Sequence, residues 1–193
     1  MYFRILPVYL LREINHSGEY FFMKKDLVYI TLRPVSKTEY GKVRELAETI
    51  WPECYKDILS AEQIRYMLDM MYSEDAIADD VSEKIRYRFV MDDTEIAGFL
   101  AWGPLIPDPP VAKLHKLYLL PGKQGQGVGT RVLELVKQQV KDTGYHFLRL
   151  NVNRQNSKAI KCYEKNNFAT IQRVNNDIGN GFFMTDYVME TEL

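Results

Sequence analysis

The stretch Leu117-Tyr118-Leu119-Leu120-Pro121-Gly122-Lys123-Gln124-Gly125-Gln126-Gly127-Val128-Gly129-Thr130-Arg131 constrains this chain most, because an apolar strand runs through glycines directly into an amphipathic helix. Glycines at 125, 127 and 129 tolerate φ > 0 and let the backbone close on a ligand. The first helical N–H groups and the positive end of the helix dipole point at the same place, which makes an anion cradle suited to a pyrophosphate. A Walker A loop would need Gly-Lys-Ser/Thr, but Gly127, five residues beyond Gly122, is followed by Val128. A dinucleotide fingerprint would need a glycine where Thr130 stands.

Charge agrees with an anionic ligand. The formal net charge of -1 argues against a dedicated nucleic-acid partner, yet it hides an asymmetry. Residues 36–83 hold twelve Asp/Glu against five Lys/Arg, whereas residues 113–173 hold twelve Lys/Arg against three Asp/Glu, so the cradle lies in the basic half. A chain of 193 residues predicts one core and one ligand cleft. Cys54 and Cys162 make neither a disulfide framework nor a metal site, which points to a reducing cytoplasm. Ile5 to Leu11 is a poor signal segment, being short, interrupted by Pro7 and followed by Arg12-Glu13. No apolar run approaches the ~20 residues that span a membrane.

Taken in order, residues 1–25 have no clear period and read as an extension before a domain at 26–193. Leu27 to Arg33 alternates and predicts a strand. Capping boxes at Ser36 and Ser60 start two helices, the first ending at Pro52. Ile85–Met91 and Glu95–Trp102 flank Asp92-Asp93-Thr94 as a hairpin, and the proline-rich 104–110 predicts a stiff loop. Strand Val111–Leu119, a helix ending before Gly144, and strand Tyr145–Val152 form a parallel crossover unit. A short helix carrying Ala159, Ile160 and Tyr163 precedes a last hairpin, 168–174 with 181–190. The fold class is therefore α/β: a mixed sheet of about six to seven strands with a central parallel pair and about four helices.

The pattern Gln124-x-x-Gly127-x-Gly129 between strand and helix, continued by Leu150-Asn151-Val152-Asn153-Arg154-Gln155-Asn156 and Tyr163, resembles the GNAT superfamily of N-acetyltransferases. The resemblance runs from Leu27 to the C-terminus. It implies that the parallel strands splay around acetyl-CoA, the acyl donor. Leu117, Tyr118 and Leu119 would contact its pantetheine arm through the main chain. Gln124, Gly125, Gln126, Gly127, Val128, Gly129 and Thr130, with Arg131 beside them, would hold the pyrophosphate, and Asn156 would bind the coenzyme. Tyr163, two helical turns from Asn156 and so on its face, would protonate the departing thiolate.

Acetyl transfer to an amine needs a neutral amine, a polarised carbonyl and a proton for sulfur. An alkyl ammonium is neutral to only a few parts in ten thousand at pH 7, a handicap of roughly 4 to 5 kcal/mol, so a base is expected. Several members of the superfamily carry a glutamate where Asn151 stands; His115 or an acidic residue acting through water is the candidate in its place, with Tyr118 and Glu53 as further possibilities. Acidic residues Asp69, Glu74, Asp75, Asp79, Asp80 and Glu83 are candidates for attracting a cationic amine, and Trp51, Tyr55, Tyr66 and Trp102 for lining its pocket. The reading is a cytoplasmic N-acetyltransferase, monomer or homodimer, acting by direct attack on a polyamine, amino-sugar or peptide amine. Its rival is a non-catalytic acyl-CoA-binding module of the same fold. No metal is implied.

Overall fold

The computed structural model describes residues 12–14, 20–22, 29–105 and 110–193. Strands β1 (Arg12–Ile14) and β2 (Tyr20–Phe22) pair antiparallel as a separate two-stranded sheet. The main sheet comprises β3 (Ile30–Pro34), β4 (Arg86–Asp92), β5 (Glu95–Pro104), β6 (Val111–Leu119), β7 (Phe147–Asn153), β8 (Ala169–Gly179) and β9 (Phe182–Glu192). Its order is β3-β4-β5-β6-β7-β9-β8, with β6 and β7 parallel and every other neighbouring pair antiparallel. This is the expected mixed sheet with a parallel centre.

Helices α1 (Tyr40–Tyr55), α2 (Ala61–Tyr72) and α3 (Glu74–Ser82) belong to one core, α4 (Val128–Asp142) and α5 (Ser157–Lys165) to the other. The stripe Val132, Leu133, Val136 and Val140 of α4 is fully buried against Leu100, Leu148 and Leu150. Each such side chain stabilises the fold by about 1.5–3 kcal/mol. In the second core, Ile50 and Trp51 of α1 and Met67 of α2 pack with Phe89 and Phe99.

The structure corrects the sequence reading at three places. There are five α-helices among the described residues against the expected about four, because α3 was not foreseen. Ile77 is its single buried residue, too little to make an apolar stripe, although Ser73 caps it by accepting from the Ala76 N–H at 3.1 Å. Helix α1 does not stop at Pro52 but continues to Tyr55, held by the buried Trp51 and closed by the Lys56 N–H donating to the Pro52 carbonyl. That extra turn carries Glu53, Cys54 and Tyr55 to the cleft. The last hairpin is longer than predicted: Asn175 to Ile178, polar enough to read as a loop, is the end of edge strand β8, and the turn is Asn180-Gly181. An exposed edge strand needs no apolar alternation, since ladder bonds to β9 define it. Of the proline-rich loop, residues 106–109 lie outside the described residues, as do Leu27 and Val28 of the first predicted strand.

Candidate active site

The parallel pairing of β6 and β7 stops at Leu114 opposite Leu150, although β6 runs on to Leu119 and β7 to Asn153. The strands therefore splay. On its other side β6 stays paired with β5 as far as Leu119 opposite Gly98, and the Leu120 N–H donates to the Ala97 carbonyl. Main-chain groups alternate sides along a strand, so those of Leu117 and Leu119 face the splay.

A bulge at His115 decides which side chains flank this opening. Trp102 pairs with Leu114 and Ala101 with Lys116, leaving His115 as the extra residue. Before the bulge, Leu114 packs in the α4 core; after it, Lys116 and Tyr118 turn towards α1–α3, while Leu117 and Leu119 join the α4 side. Lys116, only 6% exposed, is paired with Asp80 at 2.7 Å and lies over the Tyr72 and Tyr87 rings.

The splay opens into a cavity of about 780 Å³. Its floor on one side is the glycine turn. Gly125 (φ 77°) and Gly127 (φ 82°) are left-handed, and a Cβ added at either would meet no protein atom within 4 Å, which is what a backbone cradle waiting for a ligand requires. Gly127 caps α4, with the Arg131 N–H donating to its carbonyl at 3.1 Å. Lys123 ties the turn to the β4–β5 hairpin through Asp92 at 2.7 Å.

Leu117, Tyr118, Leu119, Gln124, Gly125, Gly127, Gly129, Thr130, Asn156, Tyr163 and His115 all border the cavity. The Gln124 amide is engaged in holding the turn, donating to the Leu119 carbonyl at 3.0 Å. Gln126 donates to the Gly122 carbonyl and Val128 is buried in the core, and neither residue borders the cavity. Arg131 pairs with Glu134 outside it. Asn156 caps α5, accepting from the Ala159 N–H at 3.1 Å, and still borders the cleft.

Tyr163 has no hydrogen-bond partner for its hydroxyl among the described residues, and the ring stacks edge-on against Phe168. Burial, then Tyr55 and Cys162, raise its pKa and keep the hydroxyl protonated. His115 is flanked by Lys113 and Lys116; burial and these two charges lower its pKa to about 4, and its buried Nε2 has no partner. Burial pushes both the Cys54 and Cys162 thiols up, which disfavours their thiolate forms.

The α1–α2 wall is aromatic and apolar. Trp51, Tyr55, Met67 and Met71 line it, and the Tyr55 and Tyr118 hydroxyls meet at 3.3 Å. The β8–β9 hairpin closes over α2: the Tyr66 hydroxyl donates to the Ile178 carbonyl at 2.6 Å, and the Gln63 amide to the Phe183 carbonyl at 3.0 Å. Tyr66 is thus a latch rather than a pocket wall, and Trp102 lies in the α4 core away from the cleft. None of the six acidic residues of α2 and α3 borders the cavity; Asp69 is spent on Arg44 and Asp80 on Lys116. Sequence reasoning missed Asp186, Lys113 and the α5 lysines Lys158, Lys161 and Lys165, all of which border it. The lysines recur at helical spacing, which could have revealed them; nothing local distinguishes Asp186.

The family model described as "Acetyltransferase (GNAT) family" matches residues 42–168, which include the splay, the cradle, Asn156 and Tyr163. The chain belongs to the GNAT acetyltransferase family. A spermidine N(1)-acetyltransferase of Thermoplasma acidophilum is 27% identical over 160 residues, covering 80% of this chain and 95% of that protein. The crystal structure of PaiA N-acetyltransferase from the same organism, in complex with coenzyme A, superposes with a TM-score of 0.70 at 25% identity, over 85% of this acetyltransferase and 99% of that chain. The fold alone is also shared by the ribosomal-protein-S18-alanine N-acetyltransferase of Escherichia coli, with a TM-score of 0.62 at 18% identity over 84% of this chain and 93% of that one.

Proposed function

We propose that this enzyme transfers the acetyl group of acetyl-CoA directly to the primary amine of a small acceptor, with polyamines first in line. The observation that carries the reading is the splay. Main-chain groups of Leu117 and Leu119 lack a strand partner on the side that opens into a cavity bounded by the glycine cradle and the free Tyr163 hydroxyl. The cradle N–H groups and the α4 dipole hold the pyrophosphate, with Lys158, Lys161 and Lys165 adding positive charge. The Leu119 N–H polarises the acetyl carbonyl as an oxyanion donor, and Tyr163 supplies the proton for the leaving sulfur. Direct attack is supported by two thiols held protonated.

The acceptor enters from the α1–α2 side, where Met67, Met71 and Met184 take its carbon chain. The similarity to a spermidine acetyltransferase supports a polyamine. Thiol release with acetyl-CoA across polyamines, amino-sugars and peptide amines tests the reading, and turnover should be highest with a polyamine. Binding of acetyl-CoA without thiol release on any amine would favour a non-catalytic module instead.

A further inference from the structure

Amide formation leaves a proton on the acceptor nitrogen, and the cleft has to take it. Two carboxylates border the cavity among the described residues, Glu53 and Asp186. Glu53 sits at the surface, 57% exposed and paired with Lys56 at 3.0 Å. Asp186 is 2% exposed, and no ammonium or guanidinium lies within ion-pair distance of it among the described residues. A carboxylate held dry with no ion pair in direct contact is costly, so the fold maintains it against a penalty that plain packing would avoid.

Its position is set by the sheet. On β9, Asp186 pairs with Asn153 of β7, and Val188 pairs with Asn151. Paired residues share a face, so Asp186, Asn153 and Asn151 point together to the side opposite the core containing Leu150 and Val152, which is the side of the acceptor wall. This is the stretch of β7 that has lost β6 as a neighbour. The groups facing Asp186 are the Asn151 amide, Lys113 on β6, Arg154 after β7, and the Tyr55 hydroxyl on α1.

We propose that the Asp186 carboxylate is the catalytic base, taking the proton from the acceptor nitrogen as the amide bond forms. The proposal rests on the acetyl-transfer reading. The bound ammonium first gives one proton to solvent; the lone pair of the neutral amine then forms the N–C bond while the carbonyl π pair moves onto oxygen, and the now cationic nitrogen gives its second proton to Asp186. As the carbonyl re-forms, the C–S bond breaks, and sulfur leaves with the electron pair and takes the Tyr163 hydroxyl proton. One proton then passes from the Asp186 carboxylic acid to the Tyr163 phenolate through solvent, restoring both. A weak base suffices, because a nitrogen bonded to the acyl carbon is far more acidic than a free ammonium. Electrostatics separates Asp186 from His115. A carboxylate attracts the incoming ammonium and offsets the Lys113 and Arg154 charges that face it, whereas His115 brings no negative charge to its place between Lys113 and Lys116. Burial also acts oppositely on the two, raising the Asp186 carboxyl against Asn151, Lys113 and Arg154 while lowering His115.

The test is the pH dependence of thiol release by wild type, Asp186→Asn and Asp186→Glu with an amine that the wild type accepts. Asp186→Asn should lose about 10²- to 10⁴-fold in kcat/KM and flatten the acid limb. Its affinity for acetyl-CoA, measured by calorimetry, should stay within about threefold, since only the acceptor half is changed. Asp186→Glu should be slower than wild type and keep the limb. An Asp186→Asn enzyme within fivefold of wild type, or one with its acid limb intact, would overturn the proposal. So would loss of acetyl-CoA binding in both variants, which would assign Asp186 to holding the strands. Wild-type inactivity on every amine would overturn the acetyl-transfer reading along with it.

Discussion

Gly98 offers the sharpest test of how the sheet serves the chemistry, because it lies outside the cavity lining and yet packs against the strand that we propose meets the acyl carbonyl. A Cβ built on Gly98 would stand 2.2 Å from the Tyr118 carbonyl oxygen and 2.9 Å from the Leu119 Cα, both main-chain atoms, where ordinary contact begins at 3.4 Å. No rotamer relieves this. In Gly98→Ala the end of β6 must move by about 1 Å, and a 1 Å misplacement of a reacting geometry costs on the order of 10²-fold. The strain of overpacking a core position is about 1–3 kcal/mol, which lowers Tm by about 2–12 °C for a chain of this size. The expected result is therefore a modest loss of Tm, acetyl-CoA affinity within a few fold because the Lys123–Asp92 pair and the α4 cap hold the glycine turn independently of β6, and kcat down about 100-fold. Thiol-release kinetics and a thermal melt give both numbers on one preparation. A kcat within threefold of wild type, at any Tm, would refute the placing of the acyl carbonyl against Leu119.

Tyr163→Phe removes the proton for sulfur and should lower kcat by about 10²-fold while leaving acetyl-CoA affinity within about twofold; an unchanged rate would remove Tyr163 from the mechanism. Gly127→Ala forces an L-residue to φ 82°, at a cost of about 1–2 kcal/mol, and aims a methyl into the cradle, so isothermal titration should show more than tenfold weaker acetyl-CoA binding. The His115 pKa, lowered from 6.5 to about 4, means that the folded state binds its proton later than the unfolded chain does. The corresponding stability is fully present above pH 6.5 and is lost as pH falls towards 4. Denaturant titrations of His115→Gln should accordingly show a shallower decline than wild type across that window, and equal slopes would refute the assignment.

The glycine turn, the α4 stripe and the Asn156–Tyr163 pair were legible in the chain because each depends on neighbours within two helical turns. Periodicity of 3.6, a cap and a glycine at positive φ are local requirements that leave local marks. The α3 helix was not legible, since one buried residue makes no period. Nor was the end of β8, where Asn175, Asn176 and Asp177 are held extended by β9 rather than by their own preferences. Pro52 misled for a related reason: packing of Trp51 carries α1 past a residue that by itself breaks helices.

By itself, then, the sequence determined the glycine turn before α4 and the face carrying Asn156 and Tyr163, on which the resemblance to the acetyltransferases rests. Tertiary structure alone decided the wall of the cleft opposite α4. The bulge at His115 exists only through the registers that β5 imposes on β6, and it turns Tyr118 to one side of the sheet and Leu119 to the other. Asp186 faces the cleft only because β9 lies beside β7 where β6 has departed. Strand pairing joins residues remote in the chain, and its register leaves no trace in the spacing of either partner.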